Sequence, residues 1–251
     1  MYEKELKTAI EAVKKAEKTF RKYHGTKTKV EVKEGDFRNL VSFADKKIER
    51  ETKSFLLKRF PNYGFIGEEY GNTNIKAEFV WAYDPIDGTT NYLQGLPDCA
   101  ISLGLLRNGK PVVGAVSAPF VNRFYIARKG GGAKLNGRAI KVSGTKSVSE
   151  AFGSLGWGRD INFAIDTIPF LLPLTRKFRV PGSAALGIGY VAEGVYDFFI
   201  DRTMKIWDYA AGQIILEESG GMLLISDKPD IKICANPTLA SNFLKLFKKQ
   251  K

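Results

Sequence analysis

Leu6, Ile10, Val13, Phe20 and Tyr23 recur at helical spacing among lysines and glutamates, which predicts an amphipathic helix over residues 2–23. From Gly25 to Asn39 no period survives. Lys27, Lys29, Lys33, Glu34, Asp36 and Arg38 crowd a stretch that reads as a mobile loop or loose hairpin. Ser42-Phe43-Ala44-Asp45 has the spacing of a capping box, ahead of a helix carrying Ile48, Phe55, Leu56 and Phe60. Phe60-Pro61-Asn62-Tyr63-Gly64 then turns the chain into a short strand, Phe65-Ile66, which delivers Gly67-Glu68-Glu69.

Glu78 to Tyr83 is rich in β-branched and aromatic residues and reads as a buried strand with Asp84 at its exit. Pro85, lacking a backbone donor, is expected to stop the ladder there. Asp87-Gly88-Thr89-Thr90-Asn91 reads as a turn that opens a helix. The apolar runs Ala100–Leu106 and Pro111–Ser117 flank Asn108-Gly109, a strong hairpin signal. Arg123–Ala127 and Ala133–Leu135 follow, and a second Asn-Gly at 136–137 precedes Ala139–Val142. These pairings predict an α+β first half, with helices packed on an antiparallel sheet.

Near residue 145 the pattern becomes alternating. Strand Ala151–Leu155 leads to a helical stretch broken by Pro169 and Pro173, then a strand at Phe178–Val180 and a helix from Ser183. Strand Asp197–Ile200, a helix from Trp207 stopped by Gly220-Gly221, strands Met222–Ile225 and Ile231–Cys234, and a final helix complete an α/β half. The change places a domain boundary near Val142–Ser149, dividing the chain into 1–145 and 146–251.

Composition narrows the class. A chain of 251 residues with 44% hydrophobic content can bury a substantial core, and no run approaches the roughly 20 apolar residues of a membrane span. The charged N-terminus does not read as a signal peptide, so the expected location is the cytoplasm. Cys99 and Cys234 lie in apolar runs and read as reduced core thiols. With His24 as the single histidine, a His-based triad or zinc cage is nearly excluded, and a bound metal would need oxygen ligands, pointing to Mg²⁺ or Mn²⁺. The net charge of +12 is spread over helix faces and the C-terminus without an arginine and aromatic stripe. Steering of anionic substrates therefore explains it better than a nucleic-acid surface, which stays as a reading of a different class.

Two aspartates three apart at the end of a buried strand, Asp84 and Asp87, next to free backbone N–H groups, are what a divalent cation and a phosphate bound side by side would need. The same residues are also ordinary turn chemistry. Asp208, in the first turn of its helix, has an equally plain job as a cap, and Asp45 one as part of the capping box. Ala210-Ala211-Gly212 permits close backbone packing of that helix, expected against the strand that ends in Asp84.

Gly67-Glu68-Glu69, Asp84-Pro85-Ile86-Asp87-Gly88-Thr89-Thr90-Asn91 and Trp207-Asp208-Tyr209-Ala210-Ala211-Gly212, in this order and spacing, resemble the inositol monophosphatase family of Mg²⁺-dependent phosphatases. The similarity spans nearly the whole chain. It implies a layered αβαβα sandwich of the inositol monophosphatase/fructose-1,6-bisphosphatase type, a cytoplasmic homodimer and two to three Mg²⁺ ions, with Mn²⁺ as a substitute. By motif, Glu68, Asp84 and the Ile86 carbonyl resemble ligands of one ion, Asp84, Asp87 and Asp208 those of a second, and Glu68 reaches a third through water. Glu68 and Thr89, with Asp45 behind Thr89, resemble the group around the attacking water, and the resemblance implies direct attack on phosphorus without a phosphoenzyme. Asp87, Gly88, Thr89, Gly182, Ser183, Ala184, Asp201 and Asp208 resemble the substrate contacts, although family members often have glutamate where Asp201 stands. Arg179, Arg202 and Lys33 are candidates to meet a second phosphate.

The resemblance implies hydrolysis of a phosphorylated sugar or cyclitol, with inositol monophosphate in the lead. Fructose-1,6-bisphosphatase activity, alone or alongside, and a nucleotide 3′- or 2′-phosphatase are its rivals in class. A protein binding RNA or a transcription partner is the reading of a different class.

Overall fold

The N-terminal amphipathic pattern forms α1 (Glu3–Tyr23), which turns Ala9, Val13, Ala16 and Phe20 inward. The structure is a computed structural model and describes residues 1–26, 30–32, 35, 40–156, 158, 160–227 and 230–249. In the stretch read as a loop or loose hairpin, β1 (Glu31–Val32) pairs antiparallel with β2 (Leu40–Val41). Lys27, Lys29, Lys33, Glu34, Asp36 and Arg38 lie outside the described residues. The capping box forms as expected at the start of α2 (Phe43–Arg59): Ser42 Oγ accepts from the Ala44 and Asp45 amides, and Asp45 Oδ2 accepts from Ser42 N at 2.8 Å.

The first half builds an eight-stranded sheet from β3 (Gly64–Gly67), β4 (Gly71–Thr73), β5 (Phe79–Asp87), β6 (Ala100–Arg107), β7 (Lys110–Ala118), β8 (Arg123–Arg128), β9 (Ala133–Leu135) and β10 (Arg138–Ala139). Their spatial order is β10-β9-β8-β7-β6-β5-β3-β4, and every neighbouring pair except β3 with β5 is antiparallel. Both Asn-Gly pairs take the positive φ angles a two-residue hairpin turn demands: Asn108 +49° with Gly109 +76°, and Asn136 +49° with Gly137 +84°.

Two expectations for this half are corrected. Pro85 does not end its strand. The register of β5 on β6 shifts between Asp84 and Asp87, so Pro85 falls in an irregularity where no ladder donor is needed, and Ile86 N donates to Asp84 Oδ1 instead. The expected strand Ala139–Val142 stops at Ala139, because Val142 N turns away to bond Ser219 O.

After the short α3 (Thr89–Gln94) and the first sheet, the second half contributes β11 (Phe152–Leu155), α4 (Ile161–Leu171), β12 (Lys177–Arg179), α5 (Ala184–Ala192), β13 (Phe198–Asp201), α6 (Ile206–Glu218), β14 (Met222–Asp227), β15 (Asp230–Ala235) and α7 (Pro237–Lys249). Its five strands lie in the order β12-β11-β13-β15-β14, parallel around β11 and antiparallel around β15. Pro169 stays inside α4, near its C-terminal end, and the helix stops at Leu171, two residues before Pro173.

The layers follow from which faces are apolar. Val13, Phe20, Ile48 and Leu56 of α1 and α2 pack on Trp81, Tyr83, Leu103 and Leu105 of the first sheet. On its other face, Val116, Tyr125 and Ala127 meet Ile188 of α5 and Ile215 of α6, which also touch Phe199 and Cys234 of the second sheet. Leu239 and Phe243 of α7 cover the far side against Phe198 and Ile233. The result is the expected αβαβα sandwich.

The close packing of α6 centres on β6 and β7, and its Ala210 also joins Val80 and Ala82 of β5, the strand anticipated, in one buried cluster. A β-carbon on Gly104 would meet Ala211 N at 2.8 Å, and one on Gly114 would overlap the Ala211 carbonyl. The helix backbone therefore rests directly on the sheet. Gly212 makes room for Ile188 of α5.

Candidate active site

β5, α3, α5 and α6 converge on a cavity of about 400 Å³. Glu68, Asp84, Ile86, Asp87, Gly88, Thr89, Gly182, Ser183, Ala184, Asp201 and Asp208, all marked in the sequence, line it. Asp45 stands behind the wall, where its Oδ1 faces the Thr89 hydroxyl at 3.4 Å. Arg179 and Arg202 are not among the lining residues. Arg179 donates to Phe178 O at 3.1 Å, and Arg202 pairs with Asp160 and Asp230 at 3.5 and 3.3 Å.

Asp84, Asp87, Asp201 and Asp208 are each held by backbone or hydroxyl donors from their own surroundings. Asp84 Oδ1 accepts from Ile86 N at 2.9 Å. Asp87 accepts from the Ser183 hydroxyl and from the Ala184 and Ala185 amides, at 3.2 and 2.8 Å for the amides, which places it at the start of α5. Asp208 caps α6 by accepting from Lys205 N at 2.6 Å, the plain structural role open to it from sequence. Asp201 Oδ1 accepts from Thr203 N, Thr203 Oγ1 and Met204 N, closing the turn after β13. Thr89 Oγ1 reaches both Asp45 Oδ1 and Ile86 O, the latter at 3.1 Å.

These carboxylates disfavour one another's charge. Burial first, then Glu68, Asp87, Asp208 and Asp45, raises the Asp84 carboxyl well above its usual range. Burial raises Asp208 likewise, with Asp87 adding to it and the Lys205 amide opposing. Asp87 is pushed up to about 6 by burial, against the Ser183 hydroxyl and the Ala185 and Ala184 amides, which favour the ionised form. Burial also raises Asp201.

The donor set fits a hard divalent cation. The candidate ligands in the wall are oxygens, with neither imidazole nor thiolate among the lining residues, and clustered acids whose charges repel are relieved by a cation. Among the described residues, no three acidic, histidine or cysteine side chains already close around one point. The aspartate oxygens are turned toward the protein donors above.

The structure adds roles the sequence did not assign. Asn91 Nδ2 donates to Asp98 O at 2.7 Å and to Pro181 O at 2.6 Å, tying α3 to the segment that carries Gly182 and Ser183. Gly88 and Gly182, at φ +85° and +77°, let these two segments touch: a β-carbon on Gly88 would sit 3.0 Å from Gly182 O. Leu40, Thr90, Leu155, Gly156, Gly158, Val180, Phe199, Thr203 and Met204 complete the wall with Asn91. Leu155, Val180 and Phe199 fall in stretches that read as strands, but nothing in the sequence marks them for the cavity.

Comparison with known proteins agrees across the chain. A model described as the inositol monophosphatase family matches residues 1–246. A fructose-1,6-bisphosphatase/inositol-1-monophosphatase of Aquifex aeolicus is 36% identical over 233 residues, covering 90% of this chain and 88% of its own. An inositol-1-monophosphatase of Rhizobium meliloti is 37% identical over 224 residues, covering 86% and 83%. Among solved structures, the Thermotoga maritima IMPase superposes with a TM-score of 0.89 at 32% identity, covering 98% of this chain and 97% of that one.

Proposed function

The chain belongs to the inositol monophosphatase family and is a phosphoric monoester hydrolase, and from that premise we propose that it cleaves inositol monophosphate to inositol and phosphate, with fructose 1,6-bisphosphate as a second substrate of the same site. The observation that carries the reading is the meeting of Glu68, Asp84, Asp87 and Asp208, from three distant stretches of sequence, on one cavity beside Thr89. The second substrate rests on relatives named for both activities.

In this reading Glu68, Asp84 and the Ile86 carbonyl would hold one ion and Asp84, Asp87 and Asp208 a second, with Glu68 a candidate for a third. Mg²⁺, or Mn²⁺ in its place, would neutralise the phosphate's charge and acidify water at the site. Glu68 and Thr89 orient the water that attacks phosphorus. Asp45 accepts from the Thr89 hydroxyl, so that the oxygen's lone pairs are left to accept a hydrogen bond from the attacking water and orient it. Gly88 and Thr89 offer backbone N–H groups to the phosphate, and the Gly182–Ala184 segment and Asp201 face the sugar or cyclitol. The two parts, 1–145 with most of the ligands and 146–251 with Asp208 and the substrate segment, meet around the ester.

We further place the protein in the cytoplasm as a homodimer. Two buried free thiols suit a reducing compartment, and the dimer rests on the family resemblance. No helix among the described residues is long and apolar enough to cross a membrane.

The deciding experiment is phosphate release with Mg²⁺ from inositol 1-phosphate, fructose 1,6-bisphosphate, phosphoadenosine phosphate and NADP, each with an EDTA control. EDTA-sensitive release from the first two is expected. Release from the nucleotides alone would replace the proposed substrate, and silence across a folded sample would favour the RNA-binding alternative, which salt-dependent binding then tests.

A further inference from the structure

Glu49 is a fully buried acid that takes no part in the cavity wall. It lies on α2 four residues after Asp45, so both side chains leave the same helix face. A carboxylate inside a protein needs compensation for lost hydration. Glu49 receives it from two adjacent backbone donors: Oε2 accepts from Glu69 N at 2.8 Å, and Oε1 from Tyr70 N at 2.7 Å. These amides belong to the turn that leaves β3 and follows Glu68. On the other side of Glu68, a β-carbon on Gly67 would overlap Glu49 Oε1, so the glycine is what lets the carboxylate slide beneath the strand end. Glu68 is thus bracketed by a glycine shaped around Glu49 and by two amides held by it.

We infer that Glu49 is a positioning residue, which clamps the Glu68–Tyr70 turn to α2 and thereby fixes the Glu68 carboxylate relative to the Thr89 hydroxyl. One helix sets both ends of that spacing. Asp45 reaches Thr89 from the first turn of α2, and Glu49 reaches the turn carrying Glu68 from the next. The inference rests on Glu68 being a metal ligand, and it assigns Glu49 no contact with metal or substrate.

The test is Mg²⁺ titration calorimetry on the metal-stripped full chain, with melting temperature and steady-state kinetics, for the native protein, Glu68→Gln, Glu49→Gln and Glu49→Ala. Glutamine keeps the size of Glu49 and one acceptor oxygen but sets an NH₂ group against the second amide. Glu49→Gln is expected to weaken Mg²⁺ binding about tenfold and Glu49→Ala more, within the roughly 10–100-fold range for residues that orient metal ligands. At saturating Mg²⁺, kcat should fall in the same order while KM for the ester stays near its native value. A purely structural Glu49 would lower the melting temperature and leave the folded protein's Mg²⁺ affinity and kcat unchanged, and that result overturns the clamp. Unchanged Mg²⁺ binding in Glu68→Gln overturns the metal reading together with the clamp. Loss in Glu68→Gln alone overturns only the clamp. Should Glu49→Ala fail to fold, Gly67→Ala replaces it, crowding the carboxylate out without altering its chemistry.

Discussion

The Ser183 hydroxyl donates to the carboxylate of Asp87, 96 residues earlier in the chain, and so joins the end of β5 to the cap of α5. Ser183 Oγ also accepts from Leu186 N at 3.3 Å, as the helix cap. One hydroxyl therefore serves the fold and the site together. Ser183→Ala should lower stability by about 1 kcal/mol through the lost cap, a melting shift of roughly 2–4 °C. It should also weaken activity by removing a donor that favours ionised Asp87. Melting curves and ester kinetics check both; a variant that loses stability and keeps native kinetics would confine Ser183 to capping.

Asp208→Asn should cut phosphate release on the order of a hundredfold or more, since a direct ligand should cost at least as much as a residue behind one. The fold should persist, because asparagine keeps an oxygen for the Lys205 amide. Circular dichroism and kinetics at saturating Mg²⁺ decide; undiminished turnover removes Asp208 from the metal set.

Asp84→Asn should stabilise the metal-stripped protein while abolishing turnover. The Asp84 carboxyl is raised well above its usual range by burial and its acidic neighbours, and Ile86 N needs only one oxygen. A raised folded-state pKa contributes stability below the unfolded value, about 3.9, and loses it as pH climbs through the folded value. The melting advantage of Asp84→Asn is therefore nil near pH 3.5 and grows as pH rises toward neutrality. A gain that is flat with pH would contradict this origin, and saturating Mg²⁺ should reverse the order of the two proteins.

Gly114→Ala should destabilise by roughly 1–3 kcal/mol, the usual cost of overpacking, because the added methyl overlaps the Ala211 carbonyl of α6. Since that helix carries Asp208, kcat should fall further than the loss of folded protein explains. Thermal melts and kinetics on the folded fraction test it.

Thr89→Val, nearly isosteric but without the hydroxyl shared between Asp45 and Ile86 O, should lower kcat by about 10²–10⁴-fold, the range for a group acting on the attacking water's proton. Thr89→Ser should recover most of it. Equal loss in both variants would point to packing.

Much of this was open to reading in the chain itself, because the signals are local. Helical spacing marked α1, Ser42 with Asp45 marked the start of α2, and both Asn-Gly pairs marked their hairpins. What stayed hidden depends on partners distant in sequence. Pro85 reads as a strand end until β6 is seen to slip its register past it, and Val142 reads as strand until Ser219 captures its amide. Pro169 reads as a helix break, yet sits close enough to the end of α4 to stay within it. The carboxylates could be listed from motifs, but Glu49 and the bridging role of Asn91 could not, since each acts on the backbone of a remote segment.

Although it comes late in sequence, α6 rests its backbone on Gly104 and Gly114, so Asp208 belongs mechanically to the first sheet, with Glu68, Asp84 and Asp87. The wall residues Leu155, Gly156, Gly158, Asp201, Thr203 and Met204 lie instead at or just beyond the ends of strands of the second sheet. Heredity can edit these two inventories separately. A substitution in the second can alter what the cavity admits without moving Glu68, Asp84, Asp87 or Asp208.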